Sequence, residues 1–194
     1  MTPDLEAARD ELLAGRPVVI PTDTVYGIAV MPSIAGAVQR VFDMKMRPLE
    51  KPMPVLGSEV ESLRAVAAFE PLAEDLAARF WPGPLTLVLP RAAGFTDFLG
   101  GDTDAVAVRV PDRALTRKLL AATGPLAVTS ANPSGAPPAA TATEARAYFG
   151  DVLIVDDGAA GGMPSTVVKV DEGIEVLRKG SLSPSDLERR GRQD

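Results

Sequence analysis

The 194-residue chain contains no cysteine and no histidine. These absences exclude disulfides, thiolate nucleophiles, zinc sites built from Cys and His, and the imidazole base that many enzymes use. Aromatic residues make up only 5% of the chain, and no apolar run approaches the roughly 18–20 residues that span a bilayer. Any chemistry must therefore use carboxylates, hydroxyls, Lys and Arg side chains and main-chain dipoles, aided by a hard cation such as Mg²⁺.

The charge balance argues against a large nucleic-acid surface. The formal net charge is −6, so the chain lacks the broad basic field that holds long nucleic acids. A hydrophobic fraction of 46% and a charged fraction of 24% are typical of one globular domain, which we expect to span residues 1–194. The amino terminus has no basic segment followed by an apolar core, so we expect no secretory signal, a cytoplasmic location and no membrane association.

Apolar periodicity predicts an α/β fold. Helical patterns cover residues 3–14 (capped by Thr2), 33–43, 59–67, 71–80, 115–122 and 143–149, and a short terminal helix begins after Ser183. Buried strands are predicted at 18–20, 53–56, 85–89, 105–110, 126–129, 152–155, 167–170 and 175–177. This order favours a sheet of mixed direction with packed helices. Two Ala-, Gly- and Pro-rich segments, 134–142 and 157–164, are predicted to be mobile loops near a site.

Small polar residues follow two of the predicted strands. The segment PTDTVYG at 21–27 supplies hydroxyls, a carboxylate and a phenol directly after the first strand, where the ligand crevice of an α/β sheet opens. TSANPSG at 129–135 follows another strand and offers donors and acceptors without bulk. Either segment can instead be a turn capped by its own side chains, so each keeps a structural alternative.

Basic residues are concentrated in KMRPLEKP at 45–52. Lys45, Arg47 and Lys51, stiffened by two prolines, can converge on one polyanion such as a phosphate chain. A solvated basic loop is the alternative. The sequence has no GxxxxGK[ST] or GxGxxG segment, so the commoner nucleotide-binding loops are not indicated.

A lone arginine, Arg109, lies within the apolar strand VAVRVP. Because an unpaired buried cation is very costly, Arg109 requires a partner. Asp104 or Asp112 is one candidate, and a bound carboxylate or phosphate is the other, which we favour. The rigid turn WPGPLT at 81–86 contains the chain's only tryptophan and is expected to have a structural role.

Six ordered segments together resemble the YrdC-like family of L-threonylcarbamoyladenylate synthases. They are PTDTVYG at 21–27, KMRPLEKP at 45–52, WPGPLT at 81–86, VAVRVPDR at 106–113, PLAVTSANPSG at 125–135 and STVVKV at 165–170. The resemblance spans residues 5–185 and implies the YrdC-like fold, a twisted mixed β-sheet with packed helices and a large basic cavity. The chain is similar to the short, single-domain form, since longer members carry an extra carboxy-terminal domain.

The resemblance also implies a reaction. L-threonine, bicarbonate and ATP, with Mg²⁺, would give threonylcarbamoyl-AMP and pyrophosphate. A partner tRNA threonylcarbamoyl transferase complex would then modify N6 of adenosine 37 in tRNA, with weak tRNA binding by this chain. Because the carbamate nucleophile is already anionic, no histidine base is needed, and cations neutralise the developing charge.

Matching motif positions imply roles for individual residues. Lys45 and Arg47 would be catalytic, because they neutralise charge on the phosphates. Residues implied to bind threonine are Thr24, Arg109, Ser130 and Ser165, and those implied to bind nucleotide are Lys45, Arg47, Lys51, Asn132 and Arg178. Arg113 and Lys169 stand where the family often has His and Asp, so no role is implied for either.

Two rival functions stay open at this point. One is an RNA-binding or ribosome-associated YrdC-like paralogue without synthase activity, which the acidic charge and the scarcity of aromatics disfavour. The other is a carbamoyl-transfer domain like that of hydrogenase maturation proteins, but those also contain zinc-finger and acylphosphatase parts, which this sequence lacks. A purely structural protein is disfavoured because several polar motifs lie at the ends of predicted strands.

Overall fold

The computed structural model describes residues 2–101 and 104–188 of the chain. The elements in these residues are α1 (Pro3–Leu13), β1 (Val18–Ile20), β2 (Gly27–Val30), α2 (Ala37–Lys45), β3 (Val55–Leu56), α3 (Val60–Leu63), α4 (Pro71–Phe80), β4 (Leu85–Pro90), β5 (Ala105–Arg109), α5 (Ala114–Thr123), β6 (Leu126–Ser130), α6 (Ala142–Tyr148), β7 (Leu153–Ile154), β8 (Thr166–Val170), β9 (Ile174–Arg178) and α7 (Pro184–Glu188). Among the helices of this described part, none is long and apolar enough to cross a bilayer.

The described strands form one mixed sheet in the order β7-β1-β2-β6-β3-β5-β4-β8-β9. The pairs β1–β7, β3–β5 and β4–β8 are parallel, and the remaining neighbours are antiparallel. The predicted α/β class with a sheet of mixed direction is therefore confirmed.

The central strands send alternate side chains to opposite faces of the sheet, as the period of two in a β-strand requires. On β4, Leu85, Leu87 and Leu89 are buried in the larger core cluster, together with residues of α2 and α4. Thr86 and Val88 alternate with these leucines and point to the other face. The same strand therefore contributes both to the core and to whatever lies on the opposite face.

The opposite face is covered by helices over only part of its width. Helices α1 and α5 pack Leu5, Leu12, Leu119 and Leu120 against the β1–β2–β6 side in a second core cluster. The face over β3, β5, β4 and β8 instead borders a cavity. The partial cover leaves room for a ligand site on one half of the sheet.

Most predicted elements are present, with shifted ends. The expected helix at 33–43 begins only at Ala37, because Gly36 adopts a left-handed backbone (φ 76°) that cannot continue a helix. The expected helix at 59–67 is reduced to Val60–Leu63. Thr2 occupies the N-cap position of α1, but its side chain makes no capping hydrogen bond. Ser183 accepts a hydrogen bond from Asp186 N at 3.3 Å, as predicted for a cap.

One strand, β2, was not predicted from the sequence. It begins at Gly27, directly after PTDTVYG, and pairs with both β1 and β6. A side chain on Gly27 would collide with the Val128 side chain, so glycine is needed where β2 and β6 approach each other. The segment 21–26 is consequently a tight connection between two adjacent strands.

Candidate active site

A cavity of about 660 Å³ lies on the open half of the sheet face. This volume falls within the range of small-molecule sites, roughly 300–1,000 Å³. Apolar side chains of Leu56, Val88, Val128 and Val167 form part of its wall. Its polar lining consists of Thr22, Thr24, Arg47, Lys51, Thr86, Arg109, Thr129, Ser130, Ser165 and Arg178. Among the described residues that line it there is no Asp or Glu.

Arg109 reaches this cavity because it follows Ala105 and Ala107 on the same face of β5. Its partner is neither Asp104 nor Asp112 but Asp23: Arg109 Nη2 lies 2.5 Å from Asp23 Oδ1. The guanidinium also donates from Nε to Gly83 O at 2.9 Å and from Nη1 to Thr24 Oγ1 at 2.8 Å. Burial lowers the pKa of Arg109, and the Asp23 carboxylate partly offsets that shift.

The direction of hydrogen bonding in the 22–25 segment follows from these contacts. Thr22 Oγ1 donates to Val25 O at 2.6 Å and accepts from Thr24 N and Val25 N, each at 3.2 Å, so its proton and both of its lone pairs are already used. Thr24 Oγ1 already accepts from Arg109. The Thr24 hydroxyl lies 3.0 Å from Thr22 Oγ1 and keeps its own proton and one lone pair, so it can donate to a ligand group or accept from one.

Three further cations on the cavity wall have no acidic partner. Within residues 2–101 and 104–188, no carboxylate lies within ion-pair distance of Arg47, Lys51 or Arg178. Arg47 is held by main-chain oxygens instead, with Nε donating to Lys51 O at 2.7 Å and Nη2 to Pro52 O at 3.1 Å. Burial lowers the pKa of Arg47, and repulsion from Arg178 adds to that shift and to the lowered pKa of Arg109, so the three guanidinium groups interact electrostatically.

Arg178 is positioned by Ser165. Its Nη2 donates to Ser165 O at 2.9 Å and to Ser165 Oγ at 3.1 Å. The Ser165 hydroxyl in turn shares a 2.8 Å hydrogen bond with the Thr86 hydroxyl, and both hydroxyls are buried. The predicted structural turn WPGPLT therefore also supplies a site residue, Thr86, in addition to the Gly83 carbonyl that holds Arg109.

We expect Gly180→Ala to disturb this arrangement. A Cβ at Gly180 would fall well inside van der Waals contact with the backbone of Pro164 and Ser165, so that backbone must move. The expected results are a loss of about 1–3 kcal/mol in the free energy of unfolding and lower activity, because Ser165 orients Arg178. Denaturant unfolding and an activity assay measure both. Gly173→Ala is the matched control, since nothing lies within 4 Å of its added Cβ, and a comparable loss there would contradict the explanation.

Lys45 and Asn132 lie behind the cavity wall and are not among its lining residues. The Lys45 amine is buried and donates to the main-chain oxygens of Ser130 and Asn132. Asn132 Nδ2 donates to Pro133 O at 2.9 Å and Ala136 O at 2.7 Å, while its Oδ1 is buried and accepts no hydrogen bond from the described residues. The structure brings together Thr24, Arg47, Lys51, Arg109, Ser130, Ser165 and Arg178 and places Lys45 and Asn132 as a second layer beneath Ser130.

The segment 156–162 is fastened to the Thr24 side of the cavity. Tyr26, fully buried, donates its hydroxyl to Gly158 O at 2.7 Å. Gly162 N donates to Thr24 O at 2.7 Å, and Arg113 pairs with Asp157 at 2.6 Å. These contacts do not support the mobility predicted for 157–164. They give Arg113 a structural role, whereas Lys169 pairs with Asp171 on the surface.

Sequence reasoning gave no individual role to Thr22, Thr86 and Thr129, which line the cavity, or to Asp23, which pairs with Arg109. Asp23 stands in the PTDTVYG segment, but its partner is 86 positions away, so spacing could not identify the pair. Thr86 carried a usable signal, because a threonine between Leu85 and Leu87 breaks an apolar strand on its cavity face.

The sequence of this chain is similar to those of known proteins. Residues 10–180 match the Sua5_yciO_yrdC family, described as "Telomere recombination". A protein of Pyrococcus abyssi named threonylcarbamoyl-AMP synthase is 38% identical over 181 residues, 90% of this chain but only 53% of the relative. A protein of Marinobacter nauticus with the same name is 36% identical over 177 residues, 87% of this chain and 92% of the relative.

A solved structure shares the fold at comparable identity. The crystal structure of P. abyssi Sua5 complexed with L-threonine superimposes with a TM-score of 0.90 at 36% identity, covering 95% of this chain and 56% of that one. The chain thus spans about half the length of the P. abyssi relative and nearly all of the M. nauticus one. Since the family match covers most of the described residues, this chain belongs to the Sua5/YciO/YrdC family.

Proposed function

We propose that this chain is an L-threonylcarbamoyladenylate synthase, which forms threonylcarbamoyl-AMP and pyrophosphate from L-threonine, bicarbonate and ATP. The observation that carries the proposal is one cavity lined by three cations and three hydroxyls. The cations have no carboxylate partner in the part of the chain that the structure describes; the residues are Arg47, Lys51, Arg178, Thr24, Ser130 and Ser165. The cations suit a triphosphate, and the small hydroxyls suit a polar amino acid. The names of relatives at 36–38% identity support the same conclusion.

The proposed reaction needs no histidine as a general base. Threonine's ammonium and bicarbonate give a carbamate with loss of water and one proton. A carbamate oxygen then attacks the α-phosphorus, a P–O bond forms, and the bond to the departing pyrophosphate breaks. Negative charge grows on the phosphates during this step, and preorganised cations in a site screened from water stabilise it strongly.

Individual residues have roles that fit their positions. Arg47, Lys51 and Arg178 hold the phosphates, since no described carboxylate neutralises them. The Thr24 hydroxyl, which already accepts from Arg109, makes a hydrogen bond with the substrate's amino or hydroxyl group. Arg109 provides positive charge for the carboxylate from a guanidinium that is already paired with Asp23. Lys45 and Asn132 support Ser130 from behind.

Mg²⁺ fits this site only as a companion of ATP. The described residues include no group of three or more acidic side chains that could hold a metal ion, and the cavity lining contains hydroxyls but no carboxylate. The phosphate oxygens would supply most ligands, with hydroxyls or water completing the shell. When bound, the ion would neutralise phosphate charge in addition to the arginines.

The product's role follows from its chemistry. An acyl-adenylate is an activated donor, and a tRNA threonylcarbamoyl transferase complex would use it on adenosine 37 of tRNA, with weak tRNA contact by this chain. ATP and tRNA as reaction partners favour a cytoplasmic location. The net charge of −6 keeps direct RNA binding weak.

A labelled-substrate assay tests the proposal. The protein is incubated with ATP, Mg²⁺, bicarbonate and radiolabelled threonine, and a labelled adenylate together with pyrophosphate is expected only when all substrates are present. Labelled serine serves as a control for amino-acid selectivity. Steeply salt-dependent RNA binding without threonine-dependent pyrophosphate release would instead identify an RNA-binding paralogue.

A further inference from the structure

Lys45 is a buried amine without an acidic partner. Its residue is 1% exposed, and no carboxylate within the described ranges lies within ion-pair distance of it. The two acceptors of its Nζ are the main-chain oxygens of Ser130 and Asn132. A neutral amine has two N–H donors, which match these oxygens, whereas an ammonium has a third that needs another acceptor.

The surroundings of the amine favour its neutral form when the cavity is empty. Burial acts first and repulsion from Arg47 second, and together they lower the pKa of Lys45 to about 7. Ser130 and Asn132, which hold the amine from the β6 side, are not titratable. The amine therefore divides between charged and neutral forms near neutral pH.

Anions in the cavity would act on this balance through two routes. Arg47 lines the cavity, so phosphates against it cancel the repulsion that it exerts on Lys45. The second route is through Ser130, which also lines the cavity and whose main-chain carbonyl accepts a hydrogen bond from the Lys45 amine. The buried Oδ1 of Asn132 receives no hydrogen bond from the described residues, and the main-chain oxygen of the same residue already accepts from the Lys45 amine, which makes Oδ1 the candidate acceptor for a third N–H.

We propose that, above neutral pH, nucleotide binding is coupled to uptake of a proton from solvent by Lys45, whose amine is mainly neutral in the empty site and charged when phosphates occupy it. The inference rests on the proposed function, because it needs a polyanion in this cavity. Coupling of this kind spares the empty protein an uncompensated buried ammonium and adds a positive charge only when there is charge to neutralise.

Titration calorimetry in buffers of different ionisation enthalpy counts the protons taken up. The titrant is ATP with Mg²⁺ and without threonine, at pH 8, where ATP itself is almost fully ionised. A group with a pKa of about 7 is then about one-tenth protonated, so uptake of about 0.9 proton per site is expected, falling to about 0.1 at pH 6. Lys45→Arg, always charged, and Lys45→Met, never charged, are both expected to take up almost no protons at pH 8.

The possible results of this titration distinguish a failure of the proton coupling from a failure of the proposed function. Binding heat in the wild type that is independent of buffer at pH 8 would overturn the proton coupling and leave the proposed function intact. An absence of ATP binding heat at every pH would remove the proposed function and this inference with it. If neither variant folds, as judged by circular dichroism, the wild-type pH profile still decides, because uptake that does not rise from pH 6 to pH 8 contradicts the coupling.

Discussion

Replacing Arg47 by alanine is expected to lower turnover by roughly 10²–10³-fold, the usual cost of one preorganised charge-stabilising group. Arg47 faces the cavity, has no carboxylate partner among residues 2–101 and 104–188, and is held by main-chain oxygens of Lys51 and Pro52. Its charge is therefore free to act on phosphates and is already oriented before they bind. Threonine-dependent release of pyrophosphate measures the effect, which should appear mainly in kcat, because the charge grows during the reaction.

Arg64→Ala is the matched control for this variant. Arg64 also lies over an aromatic ring, that of Phe69 at 5.6 Å, as Arg47 lies over Phe42 at 5.9 Å. It is ion-paired with Glu61 and Glu74 and does not line the cavity. Turnover in Arg64→Ala is expected to stay within about twofold of the wild type, since exposed pairs contribute little. Unchanged pyrophosphate release by folded Arg47→Ala would refute the assigned role.

The second large effect concerns stability. Asp23→Ala is expected to reduce the free energy of unfolding by about 3–5 kcal/mol, because it leaves the buried Arg109 guanidinium without its counter-charge. The two side chains are 16% and 6% exposed, so water replaces the carboxylate poorly. The variant also loses the acceptor for Asp112 N. Urea unfolding followed by circular dichroism measures the change.

Two comparisons isolate the buried charge as the cause. Asp10→Ala breaks a surface pair with Arg9, in which the side chains are 64% and 36% exposed, and should change stability by less than about 1 kcal/mol. The double variant Asp23→Ala/Arg109→Met removes both charges and is expected to be more stable than Asp23→Ala alone. A double variant as unstable as the single one would show that lost packing, and not the unpaired guanidinium, explains the effect.

The local sequence pattern predicted where helices and strands lie better than it predicted which strands pair with each other. Leu85–Leu89 and Leu126–Thr129 read as strands because their apolar residues and flanking turns are contiguous. Strand β2 was missed because it is only four residues long and begins with a glycine, and its place is set by pairing with β6, about 100 positions later. Helix α2 begins later than predicted because Gly36 adopts a left-handed backbone conformation, which the spacing of apolar residues in the sequence does not reveal.

The residues of the candidate site were named from the family resemblance, but their contacts with one another were not predicted. Of the residues named from the motifs, Arg47, Arg109, Ser165 and Arg178 line one cavity. Whether Lys45 points into that cavity or behind it depends on carbonyls 85 and 87 positions away, a distance over which sequence periodicity carries no information. The role of each of these residues in binding or catalysis stays a prediction until the variants are measured.

Side chains along β4 and β5 alternate between the core and the cavity, so two separate sets of residues serve folding and ligand binding. Leu85, Leu87 and Val108 pack in the core under the helices, whereas Val88 and Ala107 line the cavity on the other face of the sheet. Mutations at the second set could retune which amino acid is accepted at small expense to folding. A library restricted to those positions is therefore a practical starting point for engineering altered acyl-adenylates from this scaffold.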